Sequence, residues 1–334
     1  MIFVTGGTGL VGSHVLLELI KNGHKCVALK RKTSALNICK RVFNFYKSDQ
    51  LFSKINWYDG DINNIPSLQR GMSNCDLIIH CAAVVSFNTK DKELIKKINI
   101  EGTANVVNVA LSLGVKKMCY VSSIATLGKS VNNELIDENS QFKFSSDVSF
   151  YAKSKYYAEQ EVWRGSLEGL DVVIINPSVI LGPGDWSKGS SQIFQKIYTG
   201  LKFYSSGSTG YVDVVDVSTA SVKLLFSNIK NERFIINGVN ISYRNCFNKI
   251  AVAMGKSQAT IKVTPLLKEI AWRIEAIKAF VFNTNPLLTR ETANTAMKQK
   301  KFSSEKIINK LKFTFTDFDT TINKYSKWFI ADLK

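Results

Sequence analysis

The chain has 334 residues, of which 45% are hydrophobic and 21% are charged, and its formal net charge at pH 7 is +17. This length holds one large or two modest domains with an ample core, and the composition is typical of a globular protein. The most apolar stretch, residues 270–282, is interrupted by three charged residues, so no membrane span is predicted. Because the first predicted strand begins at Met1, we expect no secretory signal and a cytoplasmic protein.

Cysteine, histidine and lysine patterns narrow the class of protein. The six cysteines lack CxxC spacing and the three histidines lack ligand spacing, which indicates reduced core cysteines and no metal site. The positive charge attracts anions, including nucleic acids and phosphorylated small molecules. However, the basic residues are spread out, with a modest cluster at 298–312 and no recognised nucleic-acid motif. We therefore expect a lysine-rich solvated surface and no nucleic-acid partner.

The chain opens with the pattern of a phosphate-binding turn. A short apolar strand runs into Gly6, Gly9 and Gly12, and an amphipathic helical pattern begins at Leu10. Glycines permit a tight turn and a close approach to a pyrophosphate, and the positive end of a helix attracts the anion. A turn without a ligand is the alternative, but the order of strand, glycines and helix favours nucleotide binding. The predicted cofactor contacts are Gly6, Thr8, Gly9, Leu10, Val11 and Gly12.

Apolar strands alternate with helical patterns over the first half of the chain. The predicted strands lie at 25–30, 55–58, 77–81, 117–121 and 171–176. The predicted helices lie at 10–22, 94–113 and 150–167, and Gly23 and Gly114 stand where helix C-caps belong. Alternating β and α units with nearly all-apolar strands predict an α/β fold with a Rossmann-type doubly wound parallel sheet.

The pattern changes after Pro177. Glycine-rich loops lie at 182–189 and 207–210, short strands are predicted at 211–215 and 234–236, and the chain is mostly helical from Tyr243. We predict a nucleotide-binding domain of residues 1–176, which 211–240 rejoin. The remainder, 177–210 and 241–334, is predicted to form a smaller, mostly helical C-terminal substrate-binding region. It would cap the carboxyl edge of the sheet, where open α/β sheets bind their ligands.

The end of the second strand bears on the choice of cofactor. A carboxylate there accepts a hydrogen bond from the ribose 2′-hydroxyl of NAD, but this strand ends Leu29-Lys30-Arg31-Lys32. Arginine suits a 2′-phosphate by its charge and its bidentate fork. We therefore expect NADP(H) rather than NAD(H), with Arg31 as the main contact; solvent-facing bases are the alternative. Weaker candidates for further cofactor contacts are Ser34 and, after the third strand, Asp61 and Ile62.

Tyr151 and Lys155 provide a pattern for acid–base chemistry. They are four residues apart and share one helical face, where an ammonium group lowers the pKa of a phenol. A second pair with this spacing, Tyr198 and Lys202, contains Gly200 and follows no serine-bearing strand, so we interpret it as a chance match.

Further polar residues precede Tyr151. The strand at 117–121 is followed by Ser122 and Ser123, and a serine at this strand end can hydrogen-bond a substrate oxygen. Asn99 falls inside a predicted helix. It either faces solvent or holds a water or the backbone beside the lysine.

Together these motifs resemble the extended short-chain dehydrogenase/reductase family over residues 1–245. Residues 5–12 match its TGxxGxxG motif, and residues 80–83 resemble its HxAA strand end. Ser123, Tyr151 and Lys155 resemble its catalytic triad, with Asn99 as the fourth member. Residues 176–185 resemble the strand and loop beside the nicotinamide, and residues 211–217 a later strand-to-helix turn.

The resemblance implies a role for each matched residue. In that family the tyrosine is the general acid and base, the lysine binds the nicotinamide ribose and lowers the tyrosine pKa, and the serine polarises the substrate carbonyl or hydroxyl. Ser123 lies five residues before Gly128, which implies that it is the catalytic serine and that Ser122 is structural. The resemblance also implies a homodimer formed through the helices near 102–113 and 150–167. The cofactor contacts that it adds are Cys81, Ala82, Ala83, Val121, Tyr151, Lys155, Pro177 and Val179.

The resemblance favours one reaction over its relatives. Nucleotide-sugar dehydratases of the family carry Thr-Asp-Glu where this chain has Ser123-Ile124-Ala125, and its sugar epimerases carry an acidic residue after the second strand. Residues 176–178 and 240–244 are more similar to the dihydroflavonol-reductase and 3β-hydroxysteroid-dehydrogenase-like branch. We therefore predict NADP(H)-dependent reduction of a ketone or aldehyde, or oxidation of the alcohol. The alternatives are a nucleotide-sugar epimerase with transient hydride transfer and an NADP-binding regulator without turnover.

The substrate is expected to be a small molecule, either a carbonyl compound, an alcohol or a nucleotide sugar. Its pocket is predicted to draw on residues 84–87, the loop at 178–195 and the helical part beyond Tyr243. The apolar segment 265–282 either covers an apolar substrate as a lid or packs in the core or an interface.

Overall fold

This computed structural model describes residues 1–128, 135–145, 148–281 and 289–333, except for the side chains of 276, 277 and 279–281. Its strands are β1 (Ile2–Thr5), β2 (Cys26–Lys30), β3 (Asn56–Asp59), β4 (Leu77–His80), β5 (Lys117–Val121), β6 (Asp171–Pro177), β7 (Val179–Leu181), β8 (Phe203–Tyr204), β9 (Ser208–Asp213), β10 (Glu232–Ile236), β11 (Val239–Ser242) and β12 (Ile261–Lys262).

The helices complete the element order. They are α1 (Leu10–Lys21), α2 (Asn37–Phe45), α3 (Asp49–Phe52), α4 (Ile65–Met72), α5 (Lys92–Ile95), α6 (Gly102–Ser112), α7 (Phe150–Leu167), α8 (Gln192–Tyr198), α9 (Val214–Phe226), α10 (Tyr243–Ala253), α11 (Pro265–Val281), α12 (Arg290–Ala296), α13 (Glu305–Leu311) and α14 (Phe318–Asp332). A π-helical segment (Lys96–Glu101) joins α5 to α6, and short 3₁₀ turns lie at Thr89–Asp91, Ile124–Thr126 and Gly189–Ser191. Within the described ranges, every helix is too short or too polar to cross a membrane.

Seven parallel strands form the central sheet, in the order β10-β6-β5-β4-β1-β2-β3. The order reverses at β1, from which the chain runs to β2 and β3 on one side and to β4, β5 and β6 on the other. This reversal is the switch point of a doubly wound sheet, where ligands bind at the carboxyl ends of the strands. The predicted Rossmann-type parallel sheet is confirmed.

Helices cover both faces of this sheet, which explains why its strands are apolar throughout. In β1, Ile2 and Val4 belong to one buried cluster with residues of α1, α2 and α9, while Phe3 belongs to another with residues of α4, α6 and α7. Neighbouring residues of a strand face opposite sides, so each face requires its own apolar set.

Several predicted elements match the structure and others need correction. The predicted strand at 117–121 coincides with β5, the predicted helix at 150–167 coincides with α7, and Gly23 and Gly114 follow helices with φ of +77° and +65°. The strand predicted at 211–215 is wrong at its end. There β9 ends at Asp213, whose side chain accepts from the Val215 amide at 2.8 Å and caps α9.

A second, three-stranded sheet, β11-β9-β7, leads from the central sheet to the C-terminal helices. A third apolar cluster includes buried side chains of α8, α10 and α14. The C-terminal segment is bound to the start of α9: Thr321 donates to the Asp213 carboxylate at 2.8 Å, and the Thr316 amide donates to that of Asp216 at 2.9 Å. Although β10 joins the central sheet, the predicted domain boundaries remain a prediction.

Candidate active site

In the glycine turn after β1, backbone atoms pack so tightly around Gly6 and Gly12 that neither position has room for a side chain. Gly6 has a φ of +71°, and a Cβ on it would lie 2.7 Å from the Ala82 nitrogen. A Cβ on Gly12 would lie 2.1 Å from the Gly6 carbonyl oxygen. Both distances are far below van der Waals contact with backbone atoms, so the turn leaves its own backbone bare. Such a turn fits the close approach of a phosphate group.

The start of α1 offers donors to an anion. The N-cap residue, Gly9, has no side chain to cap the helix, and the first amides of a helix have no partner inside it. These amides belong to the predicted contacts Leu10, Val11 and Gly12, and Thr8 lies half-buried just before them. Unpartnered amides and the positive helix end together suit a pyrophosphate.

The segment after β4 packs directly on the glycine turn. The Cys81 amide donates to the Thr5 carbonyl and the Ala82 amide to the Thr5 hydroxyl, both at 3.2 Å. The Ala83 side chain is exposed. The structure therefore brings the predicted contacts Cys81 and Ala82 beside Gly6.

The end of β2 carries free positive charge. Lys30 forms an ion pair with Asp59 of the neighbouring strand β3. Arg31 is exposed and, among the described residues, forms no ion pair. Because β2 lies next to β1 and ends at the same edge of the sheet, Arg31 lies on the side of the glycine turn where an adenosine ribose would bind.

Two further predicted contacts follow β3. The Asp61 carboxylate accepts from the Asn63 amide at 2.9 Å and from the Asn63 side chain at 3.2 Å, both through Oδ1. Ile62 is buried, and its carbonyl accepts from Asn105 at 3.1 Å. Asp61 thus shapes its own turn, and its second oxygen has no protein partner among the described contacts.

The two serines after β5 have different surroundings. The Ser122 hydroxyl is buried and donates to the Glu159 carboxylate at 2.6 Å. The Ser123 hydroxyl accepts from the Ala125 amide at 3.1 Å and lies close to the phenol of Tyr151, whose pKa it lowers. Geometry therefore pairs Ser123, and not Ser122, with the predicted catalytic tyrosine.

Tyr151 lies in the first turn of α7, which Ser149 caps by accepting from the Ala152 amide at 3.1 Å. The phenol is half-buried and packs edge-to-face with Phe87, with ring centroids 5.7 Å apart. Burial raises the pKa of Tyr151, and the nearby Ser123 hydroxyl opposes this shift. The phenol is therefore neutral and can donate a proton at neutral pH.

Lys155 is fully buried one turn later in α7. Its Nζ donates to the Tyr120 phenol oxygen at 2.6 Å and to the Val121 carbonyl at 2.9 Å. Burial lowers the pKa of Lys155 to about 7, which the Glu159 carboxylate opposes. The expectation that the ammonium lowers the Tyr151 pKa is not met, because Lys155 bonds to Tyr120 and Val121 instead.

Asn99 lies in the π-helical segment and is buried, so the solvent-facing alternative is excluded. Its side chain accepts from the Val84 amide at 2.7 Å and donates to the Val84 carbonyl and the Ser154 hydroxyl, each at 3.0 Å. In the described contacts it reaches neither Tyr151 nor Lys155. Asn99 therefore links the segment after β4 to α7 through these hydrogen bonds.

Glu159 is a buried acid that was not predicted from the sequence. Glu159 accepts through Oε2 from Ser122 at 2.6 Å, Thr126 at 2.9 Å and Asn176 at 3.0 Å. Its Oε1 pairs with Arg233 of β10 at 3.2 Å. A signal existed, since Glu159 follows Lys155 by four residues and so shares its helical face.

The remaining predicted cofactor contacts lie at the same edge of the sheet, and the second tyrosine–lysine pair is a chance match. Val121 and Pro177 end β5 and β6, and Val179 begins β7. Tyr198 ends α8 and Gly200 follows with a φ of +100°, so the second tyrosine–lysine pair does not share a helix. In the predicted lid segment, residue 282 and several side chains of α11 lie outside the described residues.

Known proteins share both this sequence and this fold. A family model described as the NAD dependent epimerase/dehydratase family matches residues 2–237. A putative dihydroflavonol 4-reductase from Synechocystis sp. is 26% identical over 336 residues, which cover 98% of this chain and 94% of that protein.

Solved structures agree with this match. The crystal structure of gox2253 has a TM-score of 0.82 at 29% identity and covers 99% of this chain and 98% of its own. The UDP-glucose 4-epimerase of Thermus thermophilus in complex with NAD has the same fold, with a TM-score of 0.75 at 19% identity and 98% of both chains covered. The chain therefore belongs to the NAD-dependent epimerase/dehydratase family and is an enzyme of the extended short-chain dehydrogenase/reductase type.

Proposed function

We propose that the protein is an NADP(H)-dependent oxidoreductase that reduces a ketone or aldehyde, or oxidises the corresponding alcohol, by hydride transfer. The observation that carries the proposal is the pairing of Ser123 with a neutral Tyr151 phenol, next to the buried Lys155 ammonium. The three groups meet at the carboxyl end of β5, where a doubly wound sheet binds its ligands.

The residues present fit a nicotinamide dinucleotide. The bare turn at Gly6 and Gly12 and the free amides of α1 would hold its pyrophosphate, and Arg31 would meet a 2′-phosphate. The ends of β4, β5 and β6 would line its nicotinamide half. When bound, this group supplies the hydride for reduction and accepts it in oxidation.

The side chains of this chain perform the proton transfer. In reduction, the Tyr151 phenol gives its proton to the substrate oxygen while the Ser123 hydroxyl donates a hydrogen bond to the same oxygen. The phenolate that remains takes a proton from solvent, which the half-buried ring can reach, while the charged Lys155 would donate its remaining N–H to the nicotinamide ribose. In oxidation, the phenolate removes the hydroxyl proton.

Turnover with NADPH and a panel of carbonyl compounds and nucleotide sugars, followed at 340 nm with products identified by NMR, tests the reaction. Stoichiometric loss of NADPH with one class of carbonyl is expected. Sugar interconversion without net loss of NADPH would instead establish an epimerase, and cofactor binding without any turnover a regulator. Tyr151→Phe should abolish turnover and leave NADPH binding nearly intact, whereas Tyr198→Phe should change neither.

The cofactor preference rests on Arg31 and has its own test. Arg31→Glu should raise the Kd for NADPH by tenfold or more, since the loss of one charged hydrogen bond to a phosphate is worth about 1.5–3 kcal/mol, and should leave the Kd for NADH nearly unchanged. Arg70→Glu, at another exposed arginine, is the control. Equal affinity of the unaltered enzyme for NADH and NADPH would refute the preference.

We also propose a homodimer formed through α6 and α7. Leu113, Tyr157 and Leu167, in or directly after these helices, are 41%, 47% and 91% exposed. Association would remove these apolar side chains from water, which is favourable. Light scattering after size exclusion should give twice the chain mass, and Leu167→Asp should lower it; a monomeric mass of the unaltered protein would refute the proposal.

A further inference from the structure

Tyr120 is a buried tyrosine for which the proposed reaction has given no role. It lies in β5, three residues before Ser123, and its side chain is 1% exposed. A phenol that deep in a core requires hydrogen-bond partners, because an unpaired buried hydroxyl costs about 1–3 kcal/mol. Its hydrogen-bond partner here is Lys155, and Thr103 lies close to the other side of the phenol.

The bonds of Lys155 fix the direction of its ammonium group. An ammonium has three N–H donors. One points to the Tyr120 phenol oxygen at 2.6 Å and a second to the Val121 carbonyl at 2.9 Å. With two tetrahedral directions set, the third N–H has one direction left, and among the described contacts no protein acceptor takes it.

The phenol itself is held from behind. Thr103 lies close enough to Tyr120 to lower the pKa of that phenol; its hydroxyl contacts the His80 ring at 3.0 Å and donates to the Asn99 carbonyl at 2.6 Å. The His80 ring also stacks on the Tyr120 ring, with centroids 5.5 Å apart. Because Lys155 donates to the phenol oxygen, the Tyr120 hydroxyl proton must turn away from the ammonium, toward the side on which Thr103 lies.

Charge and burial around Lys155 act in opposite directions. The titratable groups that face it are Glu159 and Tyr151 of α7, Cys81 and His80 at the end of β4, and Tyr120 of β5. Burial raises the pKa of Tyr120 well above its ordinary value, so the phenol is neutral. A neutral oxygen that accepts from the ammonium favours the charged form of the lysine against the burial that disfavours it.

We infer that Tyr120 is a positioning residue for Lys155: it accepts one N–H of the ammonium, aims the remaining N–H toward the cofactor side and keeps the lysine charged. The inference rests on the proposed function of Lys155, but the state of the lysine can be measured without turnover. Tyr120 touches neither substrate nor reacting atoms in this role.

The test compares three variants by NMR titration of ¹³Cε-labelled lysine, with the Lys155 signal identified by its loss in Lys155→Arg. Tyr120→Phe removes the acceptor and should lower the Lys155 titration midpoint by about one pH unit. Thr103→Val, which frees the phenol proton, should lower it less. Tyr211→Phe is the control, since Tyr211 is equally buried but belongs to the third apolar cluster, with side chains of α8, α10 and α14. An unchanged midpoint in Tyr120→Phe, or in Thr103→Val if the first variant does not fold, overturns the inference.

Turnover gives a second readout. Because reduction needs the charged lysine, Tyr120→Phe should lose about tenfold in kcat at pH 8 and no more than about threefold at pH 6, as a one-unit shift of the midpoint requires. An equal loss at every pH would show a merely structural role and overturn the inference. If the unaltered enzyme reduces no carbonyl, the proposed function fails, and the NMR titration still decides the role of Tyr120.

Discussion

The buried pair of Glu159 and Arg233 offers a sharp test of what holds the catalytic end of β5 in place. The Glu159 side chain is 1% exposed, the Arg233 side chain 22%, and the two are 3.2 Å apart. Glu159→Gln keeps the shape of the side chain but removes its charge. Arg233→Met removes the opposite charge and keeps much of the apolar stem.

The expected magnitude follows from the partners that each variant leaves behind. Loss of one member of a buried ion pair costs about 3–5 kcal/mol. Arg233 keeps part of its solvent contact and donates to the Glu138 carbonyl at 2.7 Å, so Glu159→Gln should cost about 3 kcal/mol. In the double variant neither charge remains unpaired, so its cost should be about 2 kcal/mol less than the sum of the single costs.

Urea unfolding at pH 7, followed by tryptophan fluorescence and circular dichroism, measures these free energies. Glu161→Gln is the matched control on the same helix, because Glu161 pairs with Arg164 at 2.9 Å and is 32% exposed, against 1% for Glu159. Its loss should cost less than about 1 kcal/mol. A cost below 1 kcal/mol for Glu159→Gln, or additive costs in the double variant, would refute the reasoning.

Two further predictions concern the glycine turn and a buried acid. Gly12→Ala should raise the cofactor Kd at least tenfold in a fluorescence titration. The reason is that its Cβ would lie 2.1 Å from the Gly6 oxygen and displace the turn. Gly23→Ala, which has open space around its Cβ, should leave the Kd unchanged. Burial raises the pKa of Asp216 from 3.8 to about 6, so the folded state binds this proton more tightly and loses stability as the pH rises between these values. Asp216→Asn has no such titrating group. Its free energy of unfolding in urea should therefore rise by about 1–3 kcal/mol relative to that of the unaltered protein between pH 4 and pH 7. A difference that does not change with pH would contradict the assignment.

The parts of the fold that were predictable are those with a strong local signal. The apolar run of β5 and the periodic pattern of α7 gave the observed bounds, because both elements are buried on a face that the sequence shows directly. The short helices α2 and α4 were not predicted, since each spans fewer than ten residues and buries only a few side chains. The end of β9 was misplaced because a side-chain cap, and not a change in hydrophobicity, starts α9.

The residues of the candidate site also fall into those with a local sequence signal and those that only the fold brings together. The four-residue spacing indicated that Tyr151 and Lys155 share one helical face, and the family resemblance selected Ser123 as their partner. It did not show Arg233, which lies 74 residues beyond Glu159 and reaches it only because β10 pairs with β6. The sequence predicts Tyr120 to be an ordinary core aromatic residue, because only the structure shows that Lys155 donates to its phenol oxygen.

The bonds at the start of α9 have a consequence for how the chain is made. Asp213 and Asp216 are synthesised about a hundred residues before Thr316, Thr321 and Tyr325, which later donate to them. Until those hydroxyls leave the ribosome, burial of the two carboxylates is costly, so the start of α9 should remain in contact with water. The last helix thus completes a fold whose central strands are already present, and a chain that stops short of it buries two acids without the hydroxyl donors of the C-terminal segment.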